Sequence, residues 1–539
     1  MNVGRGLPTH APSHVPAPPG LMTVGPSTLS TLAAVSFPLQ VQAATDSGID
    51  RHIADVFAPF ANTVAGFVFA TIDIGGFSVP WILFWLITSG MFCTLYFRGI
   101  NLRGMAQGMR IIRGDYDRSD HHGDTSHFQA LATALSGTVG LGNIAGVAVA
   151  VTIGGPGAAF WMIIAALFGM ATKFCECTLA VKFRHIRPDG TISGGPMYYL
   201  TRGIGAEYPR AAPLGRVLGV LFAVLCLFGT IGSGNFFQVH QAYQQVLLIT
   251  GGEQSVLAGR AWLFGLAIAV ATGLVVLGGI RRIASVTDKL VPLMTLLYLV
   301  AGLVVLCSNV QAIPQALALI VTGAFTAEGV QGGVLGAILQ GFRRAAFSNE
   351  AGLGSAPIAH ASVRTDEPLT EGLVALWEPF IDTIIICTMT ALVITVAGIG
   401  HPLPAEQGVK LTSAAFGTVM PWFPYVLAVV VVLFAYSTMI AYCYYGTKAA
   451  NYLFGETTTV DVSYKLFYLT ATIFGVTMDF SSMVDFADAV FFLMAVPNII
   501  GLYLLAPVVK REMNSYFTRL AQGEIRPSRE APEHLLGSP

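Results

Sequence analysis

Along this chain, apolar residues come in long blocks separated by short polar and charged stretches. A helix needs about 20 predominantly apolar residues to cross a bilayer. By that rule the pattern predicts eleven spans, at 78–97, 127–153, 157–183, 217–248, 261–279, 290–308, 335–363, 371–399, 422–447, 464–478 and 484–508. The stretch 312–330, "AIPQALALIVTGAFTAEGV", is short and carries Glu328. It reads as an amphipathic surface segment; as a true span it would make the count twelve. Ahead of the second block, "GDTSHFQA" sets Ser126 and Gln129 at capping-box spacing, so a helix starts there. His121, His122, Asp124 and His127 surround that start and read as a solvated loop running into the cap, with a metal site as the alternative.

The charges between the blocks orient them, because cytoplasmic loops carry an excess of Lys and Arg. With the N-terminus outside, the inner segments are 98–126, 182–216, 280–289, 364–370, 448–465 and the C-terminal tail. They hold 22 of the 29 basic residues. Outer segments beyond residue 44 hold only Arg51, Arg260 and Lys410. The expected topology is therefore N-terminus out and C-terminus in, across the cytoplasmic (inner) membrane.

Composition agrees. The 539 residues are 54% hydrophobic and 11% charged, against roughly 25% charged in a soluble domain. The expected fold class is an all-α polytopic membrane protein. A net charge of −1 gives no electrostatic case for nucleic-acid binding. All seven cysteines lie in apolar blocks without zinc spacing and read as small core residues. Residues 1–44 differ from the rest, being rich in Pro, Ser and Thr. Their end, Val41-Gln42-Ala43, reads as a signal-peptide cleavage site, with a disordered tail as the alternative.

Inside the second block, "SGTVGLGNIAG" (136–146) carries four glycines between Gly137 and Gly146. Each interior glycine costs about 1 kcal/mol against alanine, and lipid-exposed backbone cannot be left unbonded. The core of this stretch, "VGLGNIA" at 139–145, has a twin 212 residues on, "AGLGSAP" at 351–357. Five spans separate the two, so they run in opposite directions. Two five-helix units of opposite orientation, 127–308 and 335–508, each opened by a glycine-interrupted span, point to an inverted-repeat secondary transporter of the leucine-transporter type. Residues 45–126 supply an external segment, one extra helix and a cytoplasmic loop. The segment 309–334 joins the units outside, and 509–539 is a cytoplasmic tail. A channel also tolerates breaks but shows a repeated pore loop, and none is found. No H-E-x-x-H or G-x-S-x-G marks an enzyme.

Three stretches carry a family resemblance: "GGPGAAFWMIIAALFGMATKFCE" (154–176), "SGGPMYYL" (193–200) and "GFRRAAFSNEAGLGSAPIAHA" (341–361). They resemble the alanine/glycine:cation symporters, and the resemblance runs from about Phe57 to Arg511. Ile163 departs from it, standing where the family usually has a second Trp. The resemblance implies Na⁺-coupled uptake of alanine, glycine or a similar small neutral amino acid by alternating access. It also implies a leucine-transporter-like core preceded by one extra helix, no cofactor beyond the coupling ion, and no obligatory protein partner besides the bilayer. The alternatives are proton coupling, or a channel or non-transporting sensor of the same fold.

A zwitterion near the bilayer midplane needs donors for its carboxylate, best supplied by N–H groups at a helix start. The amides of Gly140, Gly142 and Asn143, the Asn143 side chain and Thr138 are candidates. Near the second break Ser348, Asn349 and Ser355 accompany carbonyls suited to the substrate ammonium. In "GSGNFFQVHQA", Asn235 and Gln238 are further candidates, and the family resemblance implies Gln238; His240 reads equally well as a core residue.

Sodium wants several hard, mostly neutral oxygens. Ser437 and Thr438, in "LFAYSTMIAYCYYG", stand in the third helix of the second unit, where transporters resembling this one build a sodium site. Similarity of "VGLGN" to the neurotransmitter:sodium symporters implies carbonyls from Ser136 and Val139, with Ala435 added on the same basis.

Other buried charges read as structural. Lys173 and Glu176, three apart, would neutralise each other. Glu350 would take Arg343 or Arg344. Glu378 and Asp382, four apart, would need one of the same arginines, unless they hold a proton.

Overall fold

The structure is a computed structural model that describes residues 59, 62–74, 77–117, 121–187, 190–326, 333–400, 408–477 and 480–527. The signal-peptide segment and Glu328 lie outside the described residues. A hairpin of β1 (Thr71–Ile74) and β2 (Phe77–Pro80) leads into α1 (Trp81–Tyr96), the extra helix. The first unit then begins with α2 (His127–Thr138). Its start is the expected capping box: the Gln129 amide donates to Ser126 Oγ and the Ser126 amide to Gln129 Oε1, both at 3.2 Å.

Chain direction turns by 52° between α2 and α3 (Gly142–Gly154), so the glycine-rich stretch is a true interruption. The unit continues with α4 (Gly157–Lys182), α5 (Pro209–Ile249), α6 (Ala261–Val276) and α7 (Gly279–Ser308). Next comes α8 (Val310–Gly323), which covers most of the ambiguous stretch. At 1.5 Å per residue it is about 21 Å long, short of the roughly 30 Å hydrocarbon core. Leu317, Leu319 and Val321 are exposed on it, and Trp161 Nε1 pins its end by donating to the Ala324 carbonyl at 3.0 Å. Among the described residues, six helices are long and apolar enough to cross a membrane, or seven with the bent pair α2–α3 counted as one span, and α8 is not one of them.

The second unit opens with α9 (Gly333–Asn349) and the single turn α10 (Pro357–His360), again separated by a break. It continues through α11 (Pro368–Ile399), the short α12 (Val409–Gly417), α13 (Phe423–Phe454) and α14 (Thr458–Gly475). The last span is α15 (Phe480–Leu493) running through Met494 into α16 (Ala495–Ala521). α4 packs along α1, α9 and α11, while α13 packs along α2, α5 and α7, so both interruptions lie inside the bundle. Outward stripes such as Leu266, Val270 and Leu274 on α6 remain exposed, as lipid-facing surface requires. Of the cysteines, only Cys307 departs from the core reading: it sits exposed near the end of α7.

Among the described residues four stretches wind with the wider i→i+5 turn: Gly142–Gly146, Tyr199–Gly203, Gly232–Phe236 and Phe380–Cys387. Such turns interrupt the regular ladder and gather at functional sites. The third of them brings Gly234 against the Tyr442 ring so closely that a Cβ there would collide with it. Gly234→Ala is expected to destabilise the bundle by about 1–3 kcal/mol. A thermal unfolding midpoint unchanged in detergent would refute that.

Candidate functional site

At the first break Val139 leaves helical geometry (ψ 82°), and the amides that follow need new acceptors. Gly140 N donates to the Thr138 carbonyl and to Asn143 Oδ1, both at 2.9 Å. Leu141 N donates to Gln238 Oε1 at 3.2 Å, and Gln238 Nε2 is held by the Ser233 carbonyl at 3.2 Å. Two side-chain amide oxygens thus cap the amides that follow the break. The sequence reading treats these N–H groups as open; in the fold Asn143 and Gln238 cap them. Thr138 Oγ1 turns back to the Ala134 carbonyl at 3.4 Å.

Asn143 also reaches across the bundle. Its Nδ2 donates to the Asp382 carbonyl at 3.1 Å and to the Asp382 carboxylate. Ser348 Oγ and Thr383 Oγ1 donate to Asp382 Oδ2 at 2.8 and 2.7 Å, and Asn349 Nδ2 donates to Thr383 Oγ1 at 3.1 Å. Asp382 therefore ties the first interruption to the end of α9. It is fully buried, and the donors it meets here are neutral. Side chains of Asn143, Ser348 and Thr383 thus converge on its two oxygens. Thr390 Oγ1 completes the setting by donating to the Asn143 carbonyl at 2.7 Å.

On the other side of the break, α2 and α13 are joined by serines. Ser136 Oγ donates to the Ser437 carbonyl at 2.7 Å, and the two hydroxyls are 2.8 Å apart. Thr438 Oγ1 is buried and has no hydrogen-bond partner among the described residues. It faces the bare Cα of Gly140, where a Cβ would strike it. A buried hydroxyl left unpaired costs about 1–3 kcal/mol, and a bound cation would remove that cost. Val139 and Ala435 are both buried beside this group, each with only a carbonyl to offer.

The second break keeps its shape through left-handed residues: Glu350 (φ 58°), Gly352 (φ 88°) and Gly354 (φ 82°). Gly352 and Gly354 adopt this without strain, whereas Glu350 does not. Ser355 Oγ and Tyr442 Oη donate to the Glu350 carboxylate, so Ser355 serves that carboxylate and does not join the Asn143 group.

Several expected charge pairs are exchanged. Arg343 and Arg344 pair with Asp488 at 2.9 and 3.3 Å, not with Glu350, Glu378 or Asp382. Lys173 pairs with Glu378 at 2.9 Å rather than with Glu176, whose carboxylate accepts from Asn498. A helix face sets which residues are near in sequence; tertiary packing brought nearer partners from other helices. The histidine cluster disperses too. Asp124 meets Arg281 at 3.2 Å, His121 and His122 lie 3.8 and 3.9 Å from Asp366, and His127 is buried rather than solvated. Among the described residues no group of three His, Cys, Asp or Glu is placed to hold a metal.

Sequence reasoning missed Glu371 and His360 and set Asp382 aside as half of a pair with Glu378. The usable signal was the cost of an ionisable residue at membrane depth.

A family model described as the sodium:alanine symporter family matches residues 65–530. The chain is 38% identical over 463 residues to the sodium/alanine symporter AgcS of Methanococcus maripaludis, covering 85% of this chain and 97% of that protein. It is 33% identical over 442 residues to the probable sodium/glutamine symporter GlnT of Bacillus subtilis, covering 81% and 88%. The crystal structure of MhsT in complex with L-phenylalanine shares the fold, with a TM-score of 0.51, 14% identity, and coverage of 71% of this chain and 89% of that one. The chain belongs to the sodium:alanine symporter family: it is a multi-pass membrane transporter, not an enzyme, built as a leucine-transporter-like inverted repeat of five plus five helices behind one extra helix.

Proposed function

We propose that the protein is a secondary symporter that imports a small neutral amino acid, alanine or glycine, with Na⁺. Alternating access about the two interruptions moves the substrate, with the N-terminus outside and the C-terminus inside the inner membrane. The observation that carries the reading is the unpartnered Thr438 hydroxyl facing Gly140, beside the Ser136–Ser437 pair. Hydroxyls and carbonyls meeting at a helix break are the hard oxygens a sodium ion takes. Val139 and Ala435 carbonyls would complete that set.

Asp382 supports a second cation. An ionised carboxylate at this depth is expensive without positive charge nearby. Of the two acids considered for proton coupling, Glu378 already meets Lys173 and His360, which leaves Asp382. The substrate carboxylate would displace the Asn143 and Gln238 oxygens from the amides of Gly140 and Leu141, with Gly142 and Thr138 beside them. Ser348 and Asn349 would close the site from α9.

Crowding favours a short side chain. A Cβ on Gly142 would lie 3.2 Å from the Phe347 ring. Phe347 in turn packs edge-on to Phe237 and Phe491 with centroids 5.4 and 5.9 Å away. Of the substrates in the relatives' names, alanine suits this wall better than glutamine.

Labelled alanine uptake into proteoliposomes, with Na⁺ and pH gradients imposed separately, tests the reading. Uptake driven fully by a pH gradient and indifferent to Na⁺ would exclude sodium coupling; flux that never saturates would indicate a channel. The double substitution Ser437→Ala, Thr438→Ala is expected to raise the half-saturating Na⁺ concentration more than about tenfold, equivalent to about 1.4 kcal/mol. An unchanged value removes these residues from the ion site.

A further inference from the structure

The stretch 193–200, "SGGPMYYL", carries part of the family resemblance, yet neither the substrate nor the ion site uses it. In the fold it lies against the second interruption. A Cβ on Gly194 would collide with Ala361, and one on Gly195, which sits at φ 114°, with Ile358. From the other side, a Cβ on Gly354 would strike the Pro196 ring. Glycine at these positions lets the two segments come into contact.

The same stretch leads to a junction on the last span. Tyr199 Oη donates to Oδ1 of Asn498, a residue of α16. Asn498 Nδ2 donates to Glu176 Oε1 on α4, and to the Gly352 carbonyl at 2.8 Å. Asn498, Glu176 and Tyr199 are all fully buried. One side-chain amide thus joins all three stretches that carry the resemblance, 154–176, 193–200 and 341–361.

Chemistry fixes which way that amide faces. A carbonyl oxygen only accepts, so the NH₂ group meets Gly352 and the amide oxygen is left for the Tyr199 hydroxyl. An ionised aspartate would have no hydrogen to give the carbonyl, and leucine, of similar shape, has none either. Glu176 Oε2 has no hydrogen-bond partner among the described residues, which leaves Asn498 as the group anchoring this carboxyl.

A broken membrane helix must satisfy its freed backbone groups through neighbouring helices. Gly352 lies inside the break, and α16 holds its carbonyl through Asn498. One residue earlier, the Ala351 amide donates to Asn349 Oδ1 at 3.1 Å, and Asn349 Nδ2 donates to Thr383 Oγ1 at 3.1 Å. Thr383 donates in turn to Asp382, which also takes Asn143 of the first interruption. Hydrogen bonds therefore lead from Asn498 through the Ala351–Gly352 backbone to Asn349 and the group around Asn143. Glu350, two residues before Gly352, is held separately by Tyr442 of α13.

We propose that Asn498 is a positioning residue of the substrate site: by gripping the Gly352 carbonyl it sets the Ala351–Gly352 backbone, and through it the Asn349 side chain. That Asn349 meets substrate rests on the symport reading above. Displacing a positioned group weakens what that group binds. Asn349 closes the substrate site from α9, whereas Thr438 faces the first interruption from α13. Loss of the Asn498 amide therefore weakens alanine binding and spares sodium binding at Thr438.

Asn498→Leu removes the amide at similar shape, and Asn498→Ala removes it without crowding, so one serves where the other folds poorly. Hydrogen–deuterium exchange in nanodiscs reads the hold on the break without any ligand. Peptides covering 349–356 are expected to exchange at least about tenfold faster than in the wild type, with those of α2 and α13 within about twofold. In proteoliposomes the half-saturating alanine concentration is expected to rise at least about tenfold. The sodium-induced rise in melting temperature, measured without alanine, is expected to match the wild type. Tyr199→Phe leaves both Nδ2 bonds in place, and its half-saturating alanine concentration is expected within about threefold of wild type.

Unchanged exchange at 349–356, or faster exchange spread evenly over the bundle, overturns the proposal. So does an unchanged alanine concentration beside a loosened break, which would make Asn498 a packing residue only. A wild type that takes up no alanine, with the break still loosened in Asn498→Leu, would fault the symport reading alone.

Discussion

Gly140→Ala is expected to cut sodium-driven alanine uptake by more than about 100-fold, a loss of about 2.7 kcal/mol. The added methyl would collide with Thr438 Oγ1 and stand 3.3 Å from Gln238 Oε1. The first contact fills the space the ion would take, and the second displaces the side chain that caps the Leu141 amide. Thr438 lies mid-helix on α13, where the backbone cannot retreat without opening the bundle. One methyl group therefore acts on both sites at once. The check is labelled uptake alongside the sodium-induced rise in melting temperature. Uptake within about threefold of wild type would mean that the close approach of Gly140 to Thr438 serves packing alone.

Asp382→Asn should be nearly as severe, by a different route. The side chain keeps its shape but loses its charge and one acceptor oxygen. Asn143, Ser348 and Thr383 all donate to that carboxylate, so at least one donor must turn away. With the negative charge gone, the second cation proposed there would lose its counter-charge. The half-saturating Na⁺ concentration is expected to rise more than about tenfold, or about 1.4 kcal/mol, and the sodium dependence to become shallower. If uptake instead loses its response to pH and keeps its sodium dependence, Asp382 carries a proton.

Much of the scaffold was legible because it depends on neighbours in sequence. Apolar blocks located the spans, and Ser126 with Gln129 marked the start of α2 to the residue. The glycine twins marked both interruptions, since a break in a membrane helix needs residues that tolerate it. Helix ends were less legible. α7 begins at Gly279, not 290, and α16 runs on to Ala521, not 508. Hydropathy registers only the part of a helix that lies in lipid, whereas its hydrogen-bond ladder continues into water.

Side-chain partners were the least legible part. Lys173 and Glu176 stand on one helix face, yet Lys173 found Glu378, 205 residues away. Arg343 and Arg344 found Asp488 on the last span instead of Glu350. His127 looked like part of a polar loop until α11 brought Glu371 against it.

The sequence by itself determined that this chain is a helical multi-pass membrane protein, that its two halves run in opposite directions, and where each half is interrupted. Those properties follow from local apolar length, loop charge and glycine placement, which need no distant contact to act. Only the tertiary structure decided which side chains cap the amides at the first break, which donors the buried Asp382 carboxyl group meets, and which hydroxyl lies buried without a partner among the described residues. Desolvated charges and hydroxyls must find partners within about 3 Å, and only packing sets which groups come that close.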